Sequence, residues 1–361
     1  MIRRAAKWIG ILFGIILLIA AAYVCYVVFS YSRIEDLQPI QTEGNAADAA
    51  VKTDEPYTIV TQNCGFGAYT PDFTFFMDGG KQSWANSKES VISCIGKAAE
   101  EALSFDPDFV LFQEIDTGST RSYQVDERAQ MISDFPGYAS AFAVNYHSAF
   151  LMYPLTQPHG ASNSGILTFS KAQISGAVRR SLEISTGFSK FLDLDRCYSV
   201  SRIPVENGKE LLLYNVHLSA YGGSDDIRKS QMTQLFEDMK SEYEQGNYCV
   251  CGGDFNHDFT GDSTQVLNQG SNKEFGWAMP FPADLLPSSI SRCTDYEDTD
   301  LVPTCRNCDV PYGDDCMTFV IDGFLVTDNV QVDTVRNIDT GFVYSDHNPV
   351  VMTFSLAEAS S

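Results

Sequence analysis

A set of side chains able to bind cations, move protons or hold anions sits where short apolar runs stop. The run YTIVTQN (57–63) ends on Asn63, and DFVLFQE (108–114) ends on Gln113-Glu114. ELLLYNVHL (210–218) carries His217 near its end, and YCVCGGD (248–254) delivers Asp254, with Asn256 two residues later. Asp322 lies between Ile321 and Gly323, and Ser345-Asp346-His347 precedes the last apolar run. A carboxylate or imidazole among hydrophobic neighbours must be paired, hydrogen-bonded or metal-bound, because burying it alone costs several kcal/mol. Each one taken singly reads as a turn cap or a buried anchor. The combination is coherent chemistry. Glu114, Asp254, Asn256 and Asp346 are hard oxygen donors suited to Mg2+, Mn2+ or Ca2+, while His217 and His347 supply imidazoles that Asp322 can orient. A cation, two imidazoles and a carboxylate suit phosphoester hydrolysis. There is no HExxH, GxSxG, P-loop or GxGxxG-helix pattern to suggest otherwise.

The elements that must position these groups are mostly strands. Besides the runs above, YASAFAVNY (138–146), GILTFS (165–170), CYSVSRIPV (197–205), MTFVIDGFLVT (317–327) and NPVVMTFSL (348–356) read as strands. Ser87–Leu103 and Asp225–Tyr243 carry apolar stripes at helical spacing. Strand-rich order with occasional helices, neither regular βαβ nor all-β, predicts two β-sheets packed face to face with helices outside. The stretch 259–316 is long for an unstructured connection and calls for a functional or covalent reason.

The N-terminus is a separate device. MIRRAAK is basic, and Trp8 to Phe29 form an uncharged apolar run of 22 residues, enough for the ~20 helical residues that cross a bilayer. The reading is an uncleaved anchor at 1–30 in the cell membrane. A cleaved signal segment, with a secreted product, is kept open by Ala20-Ala21-Ala22. Basic residues ahead of the span place the remainder outside the cytoplasm. Residues 31–55 read as a flexible polar tether, and 56–361 as the catalytic domain. Nine cysteines follow the span, and Cys293, Cys305, Cys308 and Cys316 cluster in a Cys-rich loop at about 290–316. Outside the cytoplasm such a cluster favours disulfides; a zinc site at C-x2-C or free thiols are the competing readings.

Charge limits the partners. The chain has 24 Lys and Arg against 47 Asp and Glu, a formal charge of -23. Removing Arg3, Arg4 and Lys7 leaves 21 basic residues against the same 47 acids, or −26 beyond the span. Such a surface repels phosphate backbones and disfavours a dedicated nucleic-acid binder, without excluding a small metal-dressed phosphate site.

In order along the chain, TQN (61–63), FQEID (112–116), NVHLSA (215–220), GGDFNHD (252–258), FVIDGFLV (319–326) and SDHNPV (345–350) resemble the endonuclease/exonuclease/phosphatase superfamily. Those metal-dependent phosphoesterases include deoxyribonuclease I, abasic-site exonucleases, inositol-polyphosphate 5-phosphatases and bacterial sphingomyelinases. The resemblance implies a four-layered α/β sandwich. It implies Glu114 as direct metal ligand with Asn63 beside it, and Asp346 as a second metal-side carboxylate. Asp254 and Asn256 would position water or metal and the scissile phosphate. His217 would meet a phosphate oxygen or the leaving group. His347, its tautomer fixed by Asp322, would touch phosphate or act as base. Arg196, with Arg202 as competitor, would contact phosphate. One feature departs from the deoxyribonuclease I-like pattern: residues 147–164 contain no Asp or Glu to support His217. Asn163 or Ser164 is the available substitute, which weakens a general-acid role for His217.

The function so read is a divalent-metal-dependent phosphoesterase, expected to be a monomer, acting on a lipid or small-molecule phosphate ester outside the membrane. A deoxyribonuclease I-like nuclease is the alternative. The stretch FGWAMPFPADLLP, with Phe275, Trp277, Met279, Phe281, Leu285 and Leu286, offers either ordinary loop packing or a segment that dips into a lipid interface.

Overall fold

Alternation along single strands builds the layers. In Glu210–His217, Leu211 and Leu213 face one core while Leu212 and Tyr214 face another, as the two-residue period of a strand requires. Phe109–Asp116 does the same, with Phe109 and Leu111 on one side and Val110 and Phe112 on the other. Both strands are apolar on both faces because both faces are covered. The structure is a computed structural model. It describes residues 2–44, 46–47, 50–187, 190, 195–220, 225–269, 278–294 and 301–358.

Two seven-stranded sheets result. One runs in the order Gln38–Pro39, Gly176–Ser181, Cys197–Pro204, Glu210–His217, Tyr248–Asp254, Asp322–Thr327, Ile290–Cys293. The other runs Val330–Asn337, Val350–Leu356, Tyr57–Asn63, Phe109–Asp116, Asn163–Ser170, Ala139–His147, Thr42–Gly44. Pairing is antiparallel except between Glu210–His217 and Tyr248–Asp254, and between Tyr57–Asn63 and Phe109–Asp116. Ile59, Leu111, Leu213, Val250, Phe324 and Phe354 fill the space between the sheets. The helix Lys88–Ser104 covers the outer face of one sheet with Val91, Ile95, Ala98 and Ala102. Its N-terminus is capped by Ser87 Oγ, which accepts from Ser90 N at 3.0 Å. Asp225–Glu244 covers the other sheet with Met232, Leu235, Phe236 and Met239. This is the expected four-layered α/β sandwich.

Two expectations change, and one of two open readings gains support. The segment 31–55 is not a slack tether in its described parts. Gln38 and Pro39 pair with Arg179 and Val178, Thr42–Gly44 pair with Ala139–Ala141, and Val51 is buried against Val205. These edge strands are too short to show a period in sequence. The expected disulfides do not form: Cys293, Cys305 and Cys308 are free thiols buried in three different hydrophobic clusters, and the Cys316 thiol faces Asn307 O at 3.2 Å. Among the described residues no cysteine joins a metal-binding group either. Finally, Phe281 is buried, and Leu285 and Leu286 pack beside it under the outer helix. Ordinary packing therefore accounts for them, while Phe275 and Trp277 lie outside the described residues.

Most apolar side chains of the helix Ile2–Ser30 are exposed, and only near its end do Tyr23 and Tyr26 bond to Phe150 and Met152. Residues 3–30 of it are long and apolar enough to cross a membrane, with a mean hydropathy of 2.8.

Candidate active site

Two central strands of one sheet, the last turn before Val350–Leu356 and two strands of the other sheet end at the same place. Register does this directly. Asp254 lies opposite His217 on one side and Asp322 on the other. The close approach needs Gly253, whose φ is +146° and where any Cβ would meet Val216 O at 2.1 Å. Asp254 Oδ2 becomes the hub. Asn63 Nδ2 donates to it at 3.0 Å, His217 Nε2 lies 3.5 Å away and His347 Nε2 3.8 Å. Its other oxygen accepts from Asn256 N at 2.8 Å, and Asn256 Nδ2 donates to Leu218 O at 2.8 Å.

Glu114 arrives by a break in pairing. The register of Phe109–Asp116 against its neighbour shifts between Phe112 and Ile115, and Glu114 has φ +55°. A bulge of this kind re-aims a side chain at a strand end. Glu114 Oε1 then lies 3.4 Å from Asn63 Nδ2 and 3.9 Å from His217 Nε2. Asp346 reaches in from the opposite side, beside Gly65, where a Cβ would sit 2.6 Å from its Oδ1.

The two histidines differ. His347 Nδ1 meets Asp322 Oδ2 at 2.9 Å. Burial alone opposes its charge, but the Asp322 carboxylate beside it holds the imidazole well above its usual range. That contact favours the charged ring, with Nδ1 donating to Asp322 and Nε2 turned to the cleft. His217 is pushed well below its usual range by burial first, and by the positive charge of Arg196, His347 and Arg121. Its distances to Asp254 and Glu114 exceed hydrogen-bond length, so desolvation outweighs their attraction and favours the neutral ring. Its buried Nδ1 has no hydrogen-bond partner among the described residues. Asn163 Nδ2 is committed to Thr117 Oγ1 at 2.6 Å, and Ser164 lines the cleft without bonding His217. Among the described residues no carboxylate bonds His217 Nδ1.

The cleft over these groups has a volume of about 160 Å³. Of the residues singled out in sequence, Glu114, Arg196, His217, Asp254, Asn256, Asp346 and His347 line it, with Asn63 and Asp322 immediately behind. Arg196 is buried and its Nη1 donates to His217 O at 3.4 Å. Arg202 is bound to Glu210 and Glu242 elsewhere, so of the two it is Arg196 that faces the cleft. Two further arginines were not legible in sequence. Arg121 forks onto Asp116 at 2.8 and 3.0 Å and lies 3.8 Å from the Phe66 ring centroid. Arg306, from the Cys-rich stretch, is 1% exposed and lines the cleft. Its Nη2 donates to Thr70 O, but its Nε and Nη1 have no hydrogen-bond partner among the described residues. Three guanidinium groups thus line a cleft in a strongly acidic chain. Phe66, Tyr69, Phe75 and Met77 form an apolar wall.

The donor set fits a hard divalent cation. Burial, opposed by His347 and reinforced by Asp322, pushes Asp254 up to about 7. Burial, again opposed by His347 but reinforced by Glu114, does the same to Asp346. A cation bound beside these carboxylates would favour their charged forms. Asp254, Asp322 and His347 also lie within 4.8 Å of one another at their ligand atoms. Asp322 Oδ2 already bonds His347 Nδ1, and Glu114 and Asp346 are further carboxylates lining the same cleft. Asn63 turns its amide nitrogen to Glu114 and Asp254 and its oxygen to Gly65 N, bridging the carboxylates rather than joining them as an oxygen ligand.

Two face-to-face sheets with carboxylates, imidazoles and guanidiniums at one set of strand ends define the α/β sandwich of phosphoester hydrolases. Residues 60–347 match the model of the Endonuclease/Exonuclease/phosphatase family, and the chain belongs to that family. No curated protein matches it by sequence. Among solved structures it is similar to ANGEL2, a 2',3'-cyclic phosphatase in complex with adenosine-2',3'-vanadate, at 14% identity and TM-score 0.55. That match covers 90% of this chain and 99% of that one. The endonuclease/exonuclease/phosphatase from Bacteroides vulgatus matches at 15% identity and TM-score 0.53, over 84% of this chain and all of that one. The protein of the same description from Beutenbergia cavernae matches at 15% and 0.51, over 84% and 72%. At such identities the likeness is one of fold.

Proposed function

We propose that this protein is a divalent-metal-dependent phosphoesterase, anchored by its N-terminal helix with the catalytic domain outside the cytoplasm, that hydrolyses a phosphate ester of a lipid or small molecule. The observation that carries the proposal is the convergence of His347–Asp322, His217, Asp254 and Glu114 on one cleft lined by three arginines.

A cation held by Glu114 and Asp346, whether Mg2+, Mn2+ or Ca2+, would supply positive charge against a phosphoryl oxygen. The protein's own groups do the rest. Asp254, ionised beside that charge and fixed by Asn63 and Asn256, accepts a proton from water and aims it at phosphorus. The His347 imidazolium donates from Nε2 to a phosphoryl or leaving oxygen, while Asp322 holds its tautomer. Neutral His217 donates through Nε2 to a second phosphoryl oxygen and leaves general-acid work to His347. Arg196, Arg121 and Arg306 balance the anion.

Substrate class rests on the cleft and the charge. The lining combines arginines with an aromatic wall and, among the described residues, contains no lysine, and a chain at -23 repels a duplex overall. Arg3, Arg4 and Lys7 before the apolar helix support the stated topology. The test is a panel of phosphatidylcholine, sphingomyelin, plasmid DNA and a bis-aryl phosphodiester, each with excess Mg2+. Turnover of a lipid or small diester ahead of DNA is expected. Nicking of plasmid at a rate exceeding all the others would replace this reading with the nuclease.

A further inference from the structure

The helix Ile2–Ser30 carries Trp8 near one end and Tyr23 and Tyr26 near the other. At ~1.5 Å per residue, Trp8 and Tyr26 are about 27 Å apart, close to the ~30 Å of a bilayer hydrocarbon core. Aromatic side chains of this kind settle at the two lipid interfaces, so Tyr23 and Tyr26 mark the outer one.

Both phenols are bonded to one loop of the catalytic domain. Tyr23 Oη donates to Phe150 O at 3.2 Å and accepts from Met152 N at 2.9 Å, and Tyr26 Oη accepts from Phe150 N at 3.1 Å. That loop exposes apolar side chains: Phe150 at 40%, Met152 at 45%, Tyr153 at 69% and Leu155 at 81%. There is no slack between helix and body. Just beyond Ser30, Arg33 pairs with Asp195 at 2.9 Å and Ile34 N donates to Asp195 Oδ2 at 2.8 Å. The loop is also continuous with the cleft. The Tyr153 ring lies 5.8 Å from Phe76, which lies 5.0 Å from Phe75 and 5.8 Å from His159. Phe75, His159 and Met77 line the cleft, and Met77 is 52% exposed. Residues 147–164 hold no Asp or Glu in a chain with 47 of them, so this face approaches lipid phosphates without the repulsion that the rest of the surface would meet.

We propose that Phe150, Met152, Tyr153 and Leu155 form a ledge that dips into the outer leaflet of the bilayer crossed by the N-terminal helix, and that it holds the mouth of the cleft against the lipid surface. This rests on reading that helix as a membrane span and the cleft as a phosphoesterase site. Inserted side chains at interface depth are what a membrane-facing loop requires. An ester with its acyl part in that leaflet would reach the cleft beside Met77 without leaving the membrane.

The test uses the full chain reconstituted in phosphatidylcholine vesicles. In a Trp8→Phe background, Leu155→Trp adds a reporter, and Trp8→Phe alone supplies the baseline. The added emission should be blue-shifted, quenched by lipids brominated along the acyl chain and shielded from aqueous iodide. Emission as in water, open to iodide and indifferent to brominated lipid, overturns the ledge. A shift seen only in native membranes and absent in pure lipid vesicles assigns the loop to a protein partner and overturns it as well. As a second measurement, Tyr153→Ser with Leu155→Asp should lower hydrolysis of the vesicle-borne ester on the order of tenfold and leave a soluble bis-aryl phosphodiester unchanged. Equal loss on both substrates contradicts the ledge. Absence of soluble-diester turnover in the parent chain sinks the phosphoesterase reading instead, and the quenching result then judges the ledge alone.

Discussion

Removing and restoring the cation should change stability in a strongly pH-dependent way. Burial raises Asp254 and Asp346 from 3.8 to about 7 in the protein without metal. A folded state that binds more protons than the unfolded chain between those values loses stability as pH rises through that window. A tenfold change in proton affinity is worth about 1.4 kcal/mol, so the ceiling is about 4 kcal/mol for each carboxyl. The two share one cleft with His347, and water entering it lowers the sum; about 4 kcal/mol for the pair is a reasonable scale. A cation held by Glu114 and Asp346, with Asp254 ionised beside it, would recover much of this, and protons compete with it. In a domain of this size ~1 kcal/mol moves Tm by about 2–4 °C. Mg2+ added to chelator-treated full chain in detergent should therefore raise Tm on the order of ten degrees at pH about 8, and by much less at pH about 5.5. Differential scanning calorimetry reads both values. A shift that is equal at both pH values, or larger at the acid one, refutes the coupling of these carboxylates to a cation.

Other outcomes follow from the same geometry. Glu114→Gln should lose activity at limiting Mg2+ and partly regain it in excess, measured as steady-state rate against metal concentration. His347→Ala should lose on the order of 10²–10⁴-fold with no recovery in metal, its fold checked by circular dichroism. Asp322→Asn removes the charge that keeps His347 protonated, so the alkaline limb of the pH–rate profile should move to lower pH. Arg306→Ala should weaken competitive inhibition by inorganic phosphate more than it lowers Tm, since two of its buried nitrogens lack protein partners among the described residues. Alkylation of the unfolded, unreduced chain should label Cys293, Cys305 and Cys308, which are thiols in the fold.

The strand-end residues were legible because each breaks an apolar run. His217 closes LLLYNV, Asp254 closes YCVCGG, and Asp322 interrupts VIDGF, so their types alone betray a polar rim. What escaped depends on contacts between distant segments. Arg121 looks like an ordinary turn residue until its fork onto Asp116 and its place over Phe66 are visible. Arg306 sits in CRNC, where the cysteines drew a covalent reading, yet the free thiols Cys305 and Cys308 go to separate cores and the arginine to the cleft. Arg196 and Arg202 occupy the same short stretch, and their neighbours divide them: His217 for one, Glu210 and Glu242 for the other. The segment 31–55 is polar like a linker, but main-chain pairing at Gln38–Pro39 and Thr42–Gly44 does not require an apolar pattern.

The central claim is that one metal-assisted site built on His347 and Glu114 breaks phosphate esters. Hydrolysis of a soluble bis-aryl phosphodiester by full chain in detergent tests it most directly, with wild type and His347→Ala each assayed with Mg2+ and with chelator. The expected result is turnover by the wild type with Mg2+ alone, with chelator and His347→Ala each abolishing it. Turnover that survives chelation, or that His347→Ala carries out at the wild-type rate, would contradict the account.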